Sequence, residues 1–318
     1  MHEVRVRDQD RLEERPVDVS QASPEQMHAS ERAHPERAIA TEDASRRALD
    51  TQRAFDSVAP DYDRANAGNP TLCAMRRRTL AAVVSHAPAG GRILDLGCGP
   101  GTDEDTLADA GYFVTAIDWS PAMVEETRKR IARRGLQERV EVHHLGIHEL
   151  DRLPPGTFDV ACSNFGALNC VADLAGAAGL IADRVRPGGV LIASVIGRVC
   201  PWEIAVHAWR RDWTRVSVRF ARAPVGVPLN GRTVWTTYYT PADFERPFAS
   251  VGFTRVSLRA LGLFVPPPYM DAFSRRHASL VAALQRLEDR VGGYPAIRAW
   301  GDHFLIVMRK RLRPCRGI

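Results

Sequence analysis

Between residues 92 and 196 short apolar runs alternate with longer amphipathic stretches. Residues 92–96, 112–117, 140–145, 158–163 and 190–196 are strand-length, and most of them are largely apolar, as strands covered on both faces are. Residues 102–110, 120–135 and 173–185 between them carry helical patterning. The clearest boundary is at Ser120-Pro121, a side-chain cap followed by proline at the first helical position, and Gly135 is placed to stop that helix. Strands separated by helices predict an α/β fold with a mostly parallel sheet and helices on both faces.

The flanks read differently. Upstream, an amphipathic stretch at 45–58 is followed by a predicted turn at Ala59-Pro60-Asp61, and a second helix spans 70–86. Downstream of Gly197 the regular rhythm stops. A Trp/Arg-rich helix is predicted over 201–219, then a Gly/Pro loop and a β-rich run at 232–239. Thr240-Pro241 opens another helix; strands follow at 253–261 and 304–309, with a helix over 270–291 between them. Residues 1–40, rich in Glu, Arg, Ser and Pro, are expected to be a disordered extension. Residues 41–197 are expected to form the core with its N-terminal helices, and 198–318 cap segments plus the last two strands.

Composition changes little in this picture. The 318 residues are 45% hydrophobic and 25% charged, as in ordinary globular proteins. The charged first twenty residues lack the apolar centre of a signal peptide. The longest apolar run, 190–196, is too short to cross a bilayer. A cytoplasmic protein without a membrane span is expected. Six cysteines at scattered spacings support neither zinc nor a redox dithiol, so no metal is expected. The net charge of +5 divides unevenly: twelve acidic residues against eight arginines leave residues 1–50 at −4 and the remainder at +9. The basic stretches 210–222 and 309–316 suit an acidic substrate, a carrier protein or RNA, or form solvated faces.

The chemistry is carried by Ile93-Leu94-Asp95-Leu96-Gly97-Cys98-Gly99-Pro100-Gly101, where a strand meets a helix. Glycines let the backbone turn and approach a ligand closely, and the helix start presents unpaired N–H groups. A dinucleotide fingerprint places glycine first, third and sixth; here glycine is fifth, at Gly101, and Thr102 is sixth. Pro100 removes a donor from the loop, and Asp95 adds a carboxylate suited to an ammonium group. These features favour a cationic nucleoside bearing an amino acid over NAD. Asp118, 21 residues after Gly97, ends the next strand, where a carboxylate accepts from both ribose hydroxyls. Trp119 is placed to lie against a base.

These residues resemble the first motif of class I S-adenosylmethionine-dependent methyltransferases, and Asp118-Trp119-Ser120-Pro121-Ala122-Met123 resembles the adjoining acidic motif. Arg186-Pro187-Gly188-Gly189-Val190-Leu191 is similar to the turn into the family's fifth strand. Phe55-Asp56-x-x-Ala59-x-x-Tyr62-Asp63 is similar to the N-terminal signature of ubiquinone/menaquinone C-methyltransferase-like members. The resemblance covers residues 50–197. It implies a Rossmann-like, seven-stranded, mostly parallel sheet with an inserted substrate-cap region, and S-adenosyl-L-methionine as cofactor. It implies that Gly97, Cys98, Gly99 and Gly101 line the methionine part, that Asp95 lies near its amino group, and that Asp118 and Met123 belong to the nucleoside side. Tyr62 would close over the site, and one of Arg76, Arg77 or Arg78 would reach the carboxylate. The usual acidic residue after the third strand is absent, so Gly146 and Ile147 would meet adenine through their backbone. Asn164 and Phe165 would pass beneath the transferred methyl.

Glu203 and His207, spaced i, i+4, can share a helix face, which makes His207 a candidate catalytic base. Trp202, Trp209, Trp235, Tyr238 and Tyr239 would enclose an apolar acceptor. The implied activity is methylation of an O, N or activated C atom of a small aromatic or lipid-like metabolite. RNA methylation and cofactor binding without catalysis are the alternatives, and no RNA-binding module is recognisable.

Overall fold

The computed structural model describes residues 35–312. The extension expected over residues 1–34 lies outside the described residues. Over 35–40 the expectation of disorder gives way to helix, because helix α1 (Pro35–Asn66) begins there. Backbone contacts divide the chain after Ser45, and the sheet and its site belong to the unit that starts at Arg46.

Nine strands are described: β1 (Arg92–Leu96), β2 (Phe113–Asp118), β3 (Val140–His144), β4 (Phe158–Ser163), β5 (Val185–Ile196), β6 (Val225–Leu229), β7 (Arg232–Thr236), β8 (Phe253–Leu261) and β9 (His303–Lys310). Seven form one sheet in the order β3-β2-β1-β4-β5-β9-β8. Strands β1 to β5 are mutually parallel, and β9 runs antiparallel between β5 and β8. Strand order reverses between β1 and β4, which opens a crevice at their carboxyl ends, where open α/β sheets bind ligands.

Helices α2 (Pro70–His86), α3 (Thr102–Asp109), α4 (Pro121–Arg134) and α5 (Leu174–Arg184) accompany the parallel strands. Apolar cores fill both sides of the sheet. Leu96, Ile181, Phe244 and Phe304 belong to one, and Met75, Val83, Val114 and Ile192 to the other. Each such buried side chain contributes about 1.5–3 kcal/mol, so the continuous apolar runs become central strands. The cap of α4 forms as its sequence dictates: Ser120 Oγ accepts from the Met123 amide, and Gly135 ends the helix at φ 66°.

Several local expectations are corrected. The turn at Ala59-Pro60-Asp61 is absent, and α1 continues through Pro60 to Asn66. Burial of Ala54 and Ala59 and the side-chain ties described below hold the helix across the bond that proline removes. The helix predicted over 201–219 is two, α6 (Pro201–Trp209) and α7 (Trp213–Val218). Arg211 at φ 57° breaks the first, and the Asp212 carboxylate caps the second by accepting from the Arg215 amide at 3.1 Å. The expected Gly/Pro loop contains β6, paired with β7 in a hairpin. Asn230 and Gly231, both at positive φ, make the tight turn for which Asn-Gly is the strongest short signal. α8 (Pro241–Ser250) follows, and the helix predicted over 270–291 divides at His277 into α9 (Asp271–Arg276) and α10 (Ala278–Val291).

Candidate cofactor and methyl-transfer site

The glycine loop hangs from β2. The amides of Gly97 and Cys98 both donate to the Ile117 carbonyl, at 2.9 and 3.0 Å. Gly97 sits at φ 86°, and a Cβ there would come within 2.5 Å of the Ala167 side chain, so no other residue fits. A Cβ on Gly99, at φ 57°, would meet nothing within 4 Å, which identifies this edge of the loop as bordering open space. The Asp118 carboxylate joins the two strand ends: one oxygen accepts from the Gly99 amide at 2.9 Å and the other from the Ser120 amide at 2.8 Å. Burial raises this carboxyl, and the two amide hydrogen bonds oppose the rise. Each oxygen keeps a further lone pair for a ligand hydroxyl.

The part of helix α1 from residue 46 onward is tied to the residues after β2 and to the start of α3 by three side chains. Gln52 donates to the Trp119 carbonyl at 2.6 Å. Asp56 accepts from the Ser120 hydroxyl at 2.6 Å and the Ala122 amide at 3.3 Å. Asp63 accepts from the Thr102 hydroxyl at 2.6 Å and pairs with Arg130. The N-terminal signature is therefore an anchoring device, with Tyr62 carried between its two aspartates. Tyr62 is half-buried near Arg76, Asp118, Cys170 and Asp103, and burial raises its hydroxyl.

Acidic groups lie below the loop. Asp95 and Glu104 are both buried, at 2% and 0% exposed, and act on each other electrostatically. Burial and the adjacent Asp95 charge push Glu104 well above the usual carboxylate range, while burial pushes Asp95 up to about 6. Asp95 is the acceptor offered to an ammonium, while burial and the Asp95 charge both oppose ionisation of Glu104. Asp103 meets the guanidinium of Arg76 at 2.7 Å and accepts from the Asn164 amide group at 2.9 Å. Arg76 also lies 5.1 Å above the Phe165 ring. Of the three consecutive arginines, Arg76 faces the site; Arg77 is exposed and Arg78 is bound to Glu288 and Asp289.

Other expected residues have partners of their own. Met123 is 2% exposed and packs in the core, and the Ile147 side chain does the same. The Gly146 amide donates to Glu149 at 3.0 Å, so it is already engaged rather than free for adenine. Trp119 packs edge-on against His148, with ring centres 4.8 Å apart. The aromatic enclosure does not assemble as expected. Trp209 is 85% exposed, Trp235 is held by Arg47, Asp50 and Thr51 of α1, and Tyr239 packs on Phe244. His207 is buried on α6 with its Nδ1 unpartnered among the described residues.

Glu203, expected to act with His207, is held by Arg219 instead. Arg219 reaches the two Glu203 oxygens at 2.6 and 2.7 Å, Asp302 Oδ1 at 2.6 Å, and the Gly197 and Asp302 carbonyls at 3.0 Å. Cys200, Glu203 and Asp302 bring a thiol and two carboxylates together, and the cation among them is this guanidinium. The sequence reading missed Arg219 because its partners lie 16 and 83 residues away. Asp103 and Asn164 were likewise invisible as a pair, being 61 residues apart.

The donor set matches S-adenosylmethionine chemically. Asp95 and Asp118 are acceptor-only carboxylates suited to an ammonium and to ribose hydroxyls, Arg76 suits a carboxylate, and Gly99 leaves open the space that a side chain would enter. Residues 93–189 match a family model described as a methyltransferase domain. The chain is 35% identical over 155 residues to a demethylmenaquinone methyltransferase of Clavibacter sepedonicus, covering 47% of this chain and 59% of that protein. It is 37% identical over 111 residues to a ubiquinone biosynthesis O-methyltransferase of Aromatoleum aromaticum, covering 35% and 46%. The chain thus spans about half the length of these curated relatives. A crystal structure of a putative S-adenosylmethionine-dependent methyltransferase from Listeria monocytogenes superposes with a TM-score of 0.52 at 18% identity, over 76% of this chain and 99% of that one. The sheet and glycine loop are similar to those of class I S-adenosylmethionine-dependent methyltransferases, and the match to the methyltransferase-domain family lies in residues 93–189. Among the described residues no helix is long and apolar enough to cross a membrane.

Proposed function

We propose that the protein transfers the methyl group of S-adenosylmethionine to an O, N or activated C atom of a small aromatic, lipid-like metabolite. The observation that carries this reading is the Asp118 carboxylate fixing both the open edge at Gly99 and the start of α4. Asp118 would hold the ribose, Asp95 the ammonium and Arg76 the carboxylate, with Tyr62 covering them. The bound sulfonium supplies an already activated methyl group. The chain's own task is to align the acceptor and exclude water, which is where most of the rate gain arises. The relatives' names, one a demethylmenaquinone methyltransferase and the other a ubiquinone biosynthesis O-methyltransferase, support an aromatic, lipid-like acceptor. A reducing cytoplasm suits the five cysteines among the described residues, all free thiols.

Methyl-labelled cofactor incubated with fractionated cell extract tests the reading. Label is expected in the lipid-soluble aromatic fraction; label in RNA would replace this proposal with nucleic-acid methylation. A pH dependence also follows from Asp95. Its carboxyl is raised to about 6, and only its ionised form attracts an ammonium. Cofactor affinity is therefore expected to fall as pH drops through that value, by up to about tenfold per unit. Calorimetric titration from pH 5 to 8 reads this, and Asp95→Asn should flatten the curve at the weak-binding level.

A further inference from the structure

We propose that His303 is the general base of the methyl transfer and that the acceptor it serves is a phenolic hydroxyl; this rests on the methyltransferase reading above. Strand β9 runs antiparallel to β5, so its first residue stands at the carboxyl edge of the parallel strands, opposite Ile196. There the imidazole meets the ring of Phe165 edge-on, with centres 6.4 Å apart. Phe165 is the second residue after β4 and lies beneath Arg76, which pairs with Asp103, so His303 is joined to that cluster through the Phe165 ring.

The ring is fixed from behind. Asp302 Oδ2 lies 3.0 Å from Nδ1, and Asp302 Oδ1 is itself held by Arg219 at 2.6 Å. An ionised carboxylate only accepts, so Nδ1 donates to it, and in the neutral ring Nε2 carries the lone pair. Nε2 is buried and has no hydrogen-bond partner among the described residues. An unpaired buried polar atom costs about 1–3 kcal/mol. A hydroxyl seated against Nε2 removes that cost, and the neighbouring Phe165 face suits an aromatic ring. This base, oriented by a third group, has the arrangement that general catalysis requires.

The step balances. Nε2 takes the hydroxyl proton while the phenolic oxygen forms its bond to the methyl carbon. The methyl–sulfur bond breaks with its electron pair left on sulfur, and the imidazolium remains beside the Asp302 carboxylate.

4-Nitrocatechol, whose absorption distinguishes phenol from phenolate, tests this without turnover. At an acidic pH where the free probe is neutral, protein loaded with S-adenosylhomocysteine is expected to bind it as phenolate. His303→Gln should bind it at least tenfold more weakly and in neutral form, with S-adenosylmethionine affinity unchanged within twofold. In the unmodified protein the ¹⁵N resonance of His303 Nε2 should shift when the probe is added, a readout that does not depend on the variant folding. Equal phenolate binding by His303→Gln overturns the base role. So does an unmoved Nε2 resonance, or no probe binding by loaded protein. Failure of the intact protein to bind S-adenosylmethionine at all is a different result: it removes the methyltransferase reading, and the base role with it.

Discussion

Asp118→Ala is expected to weaken S-adenosylmethionine binding by about a hundredfold or more, measured by calorimetry, while the protein remains folded. Two hydroxyl bonds to a charged acceptor contribute about 1.5–3 kcal/mol each, and every 1.4 kcal/mol is tenfold in affinity. The same carboxylate also holds the Gly99 and Ser120 amides, so its loss loosens the loop against which the cofactor would rest. Asp118→Asn separates the two effects. The amide side chain keeps one acceptor oxygen and much of the shape, so the loop is largely retained while the charge is lost, and an intermediate affinity is expected. Affinity within threefold of the unmodified protein in Asp118→Ala would remove this residue from the cofactor site.

The second large effect is on stability. Arg219→Met leaves Glu203 and Asp302 facing each other without their shared cation, and Asp302 is 6% exposed. Breaking a buried pair from one side costs about 3–5 kcal/mol, because a charge is left uncompensated. For a domain of this size that corresponds to a fall of about 10 °C in melting temperature. The pH dependence has a definite sign. Burial by itself would raise the Asp302 carboxyl, but its interactions with His303 and Arg219 outweigh that and hold it well below the usual range. A depressed carboxyl contributes stability that is present above its unfolded value, about 4, and is lost as pH falls through the folded one. Arg219→Met should therefore lose most at neutral pH, and its deficit should narrow in acid. A melting temperature unchanged at pH 7 would show that solvent already compensates these carboxylates.

How much of this was legible in the sequence depends on the range of the interaction involved. The Ser120-Pro121 cap and the glycine loop could be read directly because their partners lie within a few residues. Asn230-Gly231 carried an equally local hairpin signal that the Gly/Pro-loop reading passed over. Pro60 misled because a local rule predicts a break there; burial of Ala54 and Ala59 and the ties from Gln52, Asp56 and Asp63 to the rest of the fold keep the helix intact. The expected aromatic enclosure failed for a related reason: composition shows that tryptophans are present but not which way they face, and Trp209 faces solvent.

The sequence by itself determined the alternating α/β core, the glycine loop and the acidic residue that follows it, since each is encoded by spacing along one stretch of chain. Only the tertiary structure decided that Asp56 and Asp63 anchor α1, that Arg76 faces the site while Arg78 turns away, and that Arg219 takes Glu203 from His207. It also decided the surroundings of His303, the base proposed above, which come from β5, the loop after β4 and the loop before β9. Hydrophobic periodicity records which face of an element is buried. It carries no information about which distant charge will meet another, because that pairing is fixed only when the strands take their order in the sheet.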